Sequence, residues 1–217
     1  MIFLHLPFYL IQLTSKTTSS ILPDTSYIKM LPIKLNGITY NFPTEVNELT
    51  LKQFFALRQS KGILDEVCAL TGIDRQTIAN FKGREDLNQC QLLLNNLGQK
   101  LAEGMEGKRL PRQTTIGGKA VNVPKNLKLE PVGAFIAVHN LITEEHKRAA
   151  ADGIDFDPTN IIPQVLAHYF WLPFMGEDIL YSEEKIEADA YQQQIMSMPI
   201  ADAVPIANFF FRKYPRL

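Results

Sequence analysis

The chain has 217 residues, 46% of them hydrophobic, which suits one large or two small globular domains with modest cores. Its 22 basic and 23 acidic residues leave a net charge of -1, so no global field draws it onto nucleic acid or anionic lipid. Cys68 and Cys90 are too few for a disulfide framework, and His5, His139, His146 and His168 never combine with Cys, Asp or Glu at a ligand spacing. No metal and no cofactor is expected, and the cysteines read as small buried hydrophobes in a reducing compartment.

Residues 1–29 stand apart. Met1 to Leu13, MIFLHLPFYLIQL, is apolar but too short to span a bilayer, and it lacks the basic start and small-residue cleavage site of a signal peptide. A polar stretch follows, and Met30 directly precedes a clean strand pattern. The expectation is a non-globular extension, with translation beginning at Met30.

From Ile33 the sequence IKLNGITYNFP places two short strands around Asn36-Gly37, the pair that a type I′ hairpin requires because both residues take positive φ. Thr50 then caps a helix carrying Leu51, Phe54, Phe55 and Leu57. Ile63 to Leu70 reads as a short helix broken at Thr71-Gly72, with Asp74 capping a second through Ile78 and Phe81. From Asp86 a longer helix sets Leu87, Cys90, Leu94, Leu97 and Leu101 in alternating steps of three and four, a stripe that must be buried. Packing within its own domain is favoured over a partner helix, since so few heptads rarely sustain a coiled coil.

A second hairpin is expected in TTIGGKAVNVP from Thr114, with Gly117-Gly118 as its turn, followed by a helix from Pro131 to about Ala151 through Val132, Phe135, Ile136 and Val138. A shift of 81 places superposes Gly37 on Gly118, Asn41 on Asn122, Pro43 on Pro124, Phe54 on Phe135 and Ala56 on Ala137. Those five identities lie in one ungapped window where unrelated sequence gives roughly one. The fold expected is therefore mainly α with two short β-hairpins (α+β), as a pseudo-duplicated module: residues 30–107 the first copy, 108–217 the second.

The second copy continues into an Asp-rich loop. Asp152, Asp155 and Asp157 miss the spacing of a calcium loop, so it reads as solvated. Ile161 to Phe170 forms an apolar helix ending near Trp171-Leu172-Pro173, the acidic segment GEDILYSEEKIEADA leads into another, and a final helix runs through Ile206 and Phe209-Phe210-Phe211.

Chemistry is hard to find. The sequence has no G-x-S-x-G, G-x-G-x-x-G or G-x-x-x-x-G-K-[ST], and its carboxylates between Glu177 and Asp189 are spaced as a solvated face, so no enzyme is expected. Val67 to Gly83 has the helix, glycine turn and second helix of a helix-turn-helix, in which Arg75, Gln76 and Asn80 would meet bases and Lys82 and Arg84 phosphates. Asp74, Glu85 and Asp86 flank it, and a plain helical corner cored by Ile73, Ile78 and Phe81 is the favoured reading. Lys108, Arg109, Arg112, Lys119, Lys125 and Lys128 make the second hairpin a basic arm, by default a solvated one.

The order of G-x-x-x-N-x-P, LTLKQFFAL, ILDEVCALTGIDRQTIANF and MPIADAVPIANFFFRKYP resembles small helical assembly proteins of tailed bacteriophages, of the tail assembly chaperone type. The resemblance spans most of Leu31 to Leu217 and brings no catalytic residues. It implies a protein of the host cytoplasm that covers apolar helices of another phage tail component, such as a tape-measure protein, until assembly buries them. Leu87, Leu94, Leu97, Leu101, Phe209 and Phe210 are the candidate partner-binding residues. A virion structural component of the head-tail connector region and a helix-turn-helix regulator are the alternatives.

Overall fold

The computed structural model describes residues 30–35, 37–80, 84–104, 109–125, 131–176 and 178–213. The expected extension at residues 1–29 thus lies outside the described residues, as do Asn36, Phe81, Lys82, Lys108 and Lys128. The described chain is mainly helical with two short antiparallel two-stranded sheets. No helix among the described residues is long and apolar enough to cross a membrane.

The first hairpin pairs β1 (Leu31–Leu35) with β2 (Ile38–Phe42), and a single 3-10 turn (Val46–Glu48) follows. Thr50 caps α1 (Leu51–Gln59) through a capping box: the Gln53 N–H donates to Thr50 Oγ1 at 3.3 Å, and the Thr50 N–H to Gln53 Oε1 at 3.0 Å. The Gln53 amide also donates to the Leu70 carbonyl at 2.8 Å, tying the start of α1 to the end of α2 (Ile63–Thr71). Gly72, at φ +73, terminates α2 in the left-handed region, and Asp74 caps α3 (Arg75–Ala79). The long α4 (Arg84–Gly104) packs on α2 and on the 3-10 turn, where Lys100 donates to the Thr44 carbonyl at 3.0 Å and pairs with Glu45.

β3 (Gln113–Ile116) and β4 (Lys119–Asn122) form the second hairpin, followed by α5 (Val132–Asp152) and α6 (Ile162–Met175). α6 runs two residues beyond Pro173, which has no N–H to donate to the carbonyl four residues back. The acidic segment holds two helices, α7 (Glu183–Glu187) and α8 (Asp189–Met196), broken at Ala188, whose ψ of 134° is extended. α9 (Ile200–Lys213) ends the described chain.

Helix α6 is the hub, packed by α5, α7, α8, α9 and β4. Buried residues from both halves of the chain join in one cluster that includes Phe42, Phe54, Leu97, Trp171, Phe170 and Phe210. A backbone clasp closes it: the Leu51 N–H donates to the Met198 carbonyl at 2.9 Å and the Ile200 N–H to the Leu49 carbonyl at 2.7 Å, all four residues being buried.

The shift of 81 carries the register of the first hairpin onto the second. Ile33 pairs with Tyr40 as Thr114 pairs with Val121, and Leu35 with Ile38 as Ile116 with Lys119. Burial agrees at Ile33 and Thr114 and at Phe42 and Val123. The helices after the hairpins differ. Leu51 and Phe54 of α1 are buried, whereas their counterparts Val132 and Phe135 are 74% and 45% exposed, because α5 turns Ala134, Val138 and Ala149 inward instead.

The two hairpin tips also differ in surroundings. Both Gly117 and Gly118 have positive φ, +56 and +78. The Gly117 N–H donates to Ser197 Oγ at 2.8 Å, and a Cβ on Gly117 would meet Gln194 Oε1 at 1.6 Å, while one on Gly118 meets nothing within 4 Å. Gly118→Ala is therefore expected to cost about 1–2 kcal/mol in urea unfolding from the left-handed backbone alone. Gly117→Ala is expected to cost somewhat more, because the end of the Gln194 side chain must also swing aside. Equal costs for the two variants would show that the docking contributes nothing.

Candidate functional site

The leucine stripe of α4 is occupied by the chain itself. Cys90, Leu94, Leu97 and Leu101 lie in the shared core, Phe210 is buried there, and Leu87 and Phe209 are half-buried. As a partner-binding surface this assignment is corrected: exposing Leu94, Leu97, Leu101 or Phe210 to another protein would require opening the core.

The helix-turn-helix reading is likewise limited by geometry. The second helix, α3, has only 5 residues, about 7 Å at 1.5 Å per residue, too short to lie along a major groove. Arg75 Nη1 is paired with Asp65 Oδ1 at 2.9 Å, and Asn80 donates to the Gln76 carbonyl at 2.8 Å as a local cap. Gln76 is exposed, and Lys82 lies outside the described residues. Burial, then Asp65, pushes the neighbouring Cys68 thiol up, away from a reactive thiolate.

Of the basic arm, Arg109, Arg112 and Lys125 are exposed, but Lys119 is engaged within the fold. Its ammonium donates to the Phe174 carbonyl at 2.7 Å and stands over the Phe174 ring at 5.2 Å. Asp157 of the Asp-rich loop also serves the fold. Burial alone would raise its pKa, but hydrogen bonds from Thr159 and Arg58 outweigh this and hold the carboxyl below its ordinary range. Arg58 of α1 reaches Asp157 Oδ2 at 2.7 Å, and Asn160 continues the bridge to Glu145 of α5 at 2.8 Å. Among the described residues no group of three or more His, Cys, Asp or Glu is placed to hold a metal.

What the fold leaves outside is an apolar face that the sequence reading took for part of the helix pattern. Val132 and Ile136 project from α5 opposite the face that packs on α6, with Ile136 50% exposed, and the half-exposed Phe135 flanks them. Phe135 lies beside His139 of the next turn. A strap, residues 178–182, runs alongside. The Tyr181 ring covers Gly133, where a Cβ would come within 2.5 Å of it. Leu180 between these pinned residues is 87% exposed. The signal available in the sequence was VGAFIAV at the start of α5, where apolar residues cover more of the helix than one core stripe needs.

The strap is fastened to two buried polar groups of α6. Trp171 Nε1–H donates to the Leu180 carbonyl at 3.1 Å, and His168 Nδ1 lies 2.9 Å from the Tyr181 hydroxyl. Burial, then Glu183 and Glu187, raises the Tyr181 phenol to about 12, so it keeps its proton. Burial lowers the His168 pKa, against the opposing pull of Glu183 and Glu187, and favours the neutral ring.

Two expectations follow. Leu97→Ala should cost about 2–5 kcal/mol by urea unfolding, the range for emptying a core leucine site, whereas unchanged stability would return the stripe to partner binding. Because His168 has a lower pKa folded than its ordinary 6.5, the unfolded chain takes up more protons below that value. Stability is therefore full above about pH 6.5 and falls as the pH drops toward the folded value, by at most about 1.4 kcal/mol per pH unit for one proton. His168→Gln should flatten unfolding midpoints between pH 6.5 and 5. An equally steep profile in that variant would assign the dependence elsewhere.

No protein-family model, no curated protein and no solved structure matches the chain.

Proposed function

We propose that this chain is a non-enzymatic assembly protein of tailed bacteriophages, of the tail assembly chaperone type, acting in the host cytoplasm. Its task in this reading is to shield an apolar segment of another phage protein, such as a tape-measure protein, until assembly buries that segment. The observation that carries the reading is the exposed apolar face of α5 with the exposed Leu180 on the strap that lies against it, while among the described residues the α4 stripe and Phe210 are drawn into one core. A contiguous apolar patch left in water marks an interaction site more often than it serves the fold. The resemblance of Leu31 to Leu217 to phage assembly proteins supplies the class of partner. The helix-turn-helix alternative is disfavoured by the 5-residue α3.

Co-expression with the tape-measure protein of a tailed bacteriophage tests this. The chain is expected to keep that protein soluble and to co-purify with it, and Ile136→Glu with Leu180→Glu should abolish co-purification while leaving the circular dichroism unchanged. A tape-measure protein that is equally soluble without the chain would overturn the reading. Recovery of the chain from purified virions would favour the structural-component alternative instead.

A further inference from the structure

We infer that the face made by Val132, Ile136 and Leu180 takes an amphipathic helix whose apolar stripe is bordered by lysines or arginines. The inference rests on the reading above and specifies the chemistry of the segment that is shielded. The apolar part of the match is a ridge on the first two turns of α5, to which a helix presenting residues at i, i+3 and i+4 is complementary.

The border supplies the charge. Residues 178–189 carry Asp178, Glu183, Glu184, Glu187 and Asp189 against the single Lys185, and all six are exposed. Glu183 opens α7 directly after the strap that carries Leu180, and Tyr181 of that strap lies on Gly133 of α5, so the acidic edge adjoins the apolar face. A helix lying along Val132 and Ile136 therefore passes an acidic border, which attracts cationic side chains and repels anionic ones.

The face is also preformed. Trp171 holds the Leu180 carbonyl, and Tyr181 is held both by His168 and by its seat on Gly133. Leu180 is thus kept pointing into water between fixed neighbours, and little ordering remains to oppose binding. A second copy of the chain fits less well, because a two-fold contact through the same face would bring two acidic edges together.

The test uses the full chain and two synthetic 18-residue helical peptides with the same leucine stripe, one flanked by lysine and one by glutamate, in fluorescence anisotropy. The lysine peptide is expected to bind at least about tenfold more tightly than the glutamate peptide, with an affinity that falls as salt rises. Ile136→Ser with Leu180→Ser should weaken it at least about tenfold, and Glu183→Gln with Glu187→Gln should remove most of the preference between peptides. Emission from the single Trp171 reports whether each variant keeps the strap in place. Equal binding of the two peptides, or binding indifferent to Ile136 and Leu180, would overturn the inference. So would sedimentation showing a dimer that Leu180→Ser dissociates. If peptides fail while the tape-measure protein co-purifies, this inference falls alone. If peptides bind as expected but co-purification fails, the phage reading falls and the basic-helix surface stands.

Discussion

Between Ile162 and Trp171 every residue except Gln164 is buried, so α6 cannot lie at a surface and other elements must enclose it. That enclosure organises the second half of the chain: α5, α7, α8, α9 and β4 each supply one wall. Burying a helix on all sides also buries its polar atoms, and each needs a partner, since an unsatisfied group costs roughly 1–3 kcal/mol. Tyr191 donates to the Ala167 carbonyl at 3.0 Å, Tyr169 to the Pro124 carbonyl, Trp171 to Leu180, and His168 meets Tyr181. The last two partners both come from the strap. The strap's position, and with it the outward projection of Leu180, is thus a consequence of satisfying α6.

The first half is joined to this assembly by the clasp of Leu49–Leu51 with Met198–Ile200 and by the Arg58, Asp157, Asn160 and Glu145 bridge. Burial decides which of these matters more. The clasp residues are all buried, and its two amide bonds are shielded from competing water. Arg58 and Asp157 are partly exposed, at 20% and 32% of their side chains, so solvent screening reduces what that ion pair contributes. Two hairpins with the same register serve different ends within the shared core. The second is docked through Gly117 and through Thr114, whose hydroxyl donates to Asp202 at 2.9 Å.

The candidate interaction surface arises from this division of labour. Because the α4 stripe and Phe210 complete the core, they are unavailable to a partner, and because the start of α5 turns Ala134 and Val138 inward, its Val132 and Ile136 point away.

Local chemistry was legible in the residues. Thr50, Asp74 and Gly72 mark helix ends through hydrogen bonds and backbone preferences that span only a few positions, and the paired turns at Gly37 and Gly117-Gly118 determine hairpin register by the same short-range logic. The continuous apolar run of α6 likewise announced a buried helix, and the periodic α4 stripe announced a buried face. What the sequence by itself could not determine was which apolar stripe goes inside when a helix has two. The first turns of α5 offer Ala134 and Val138 on one side and Val132 and Ile136 on the other, and hydropathy favours the bulkier set. Only the tertiary structure decided for the smaller one, because close approach to α6 requires small side chains and the strap from residues 178–182 needs Gly133 beneath Tyr181.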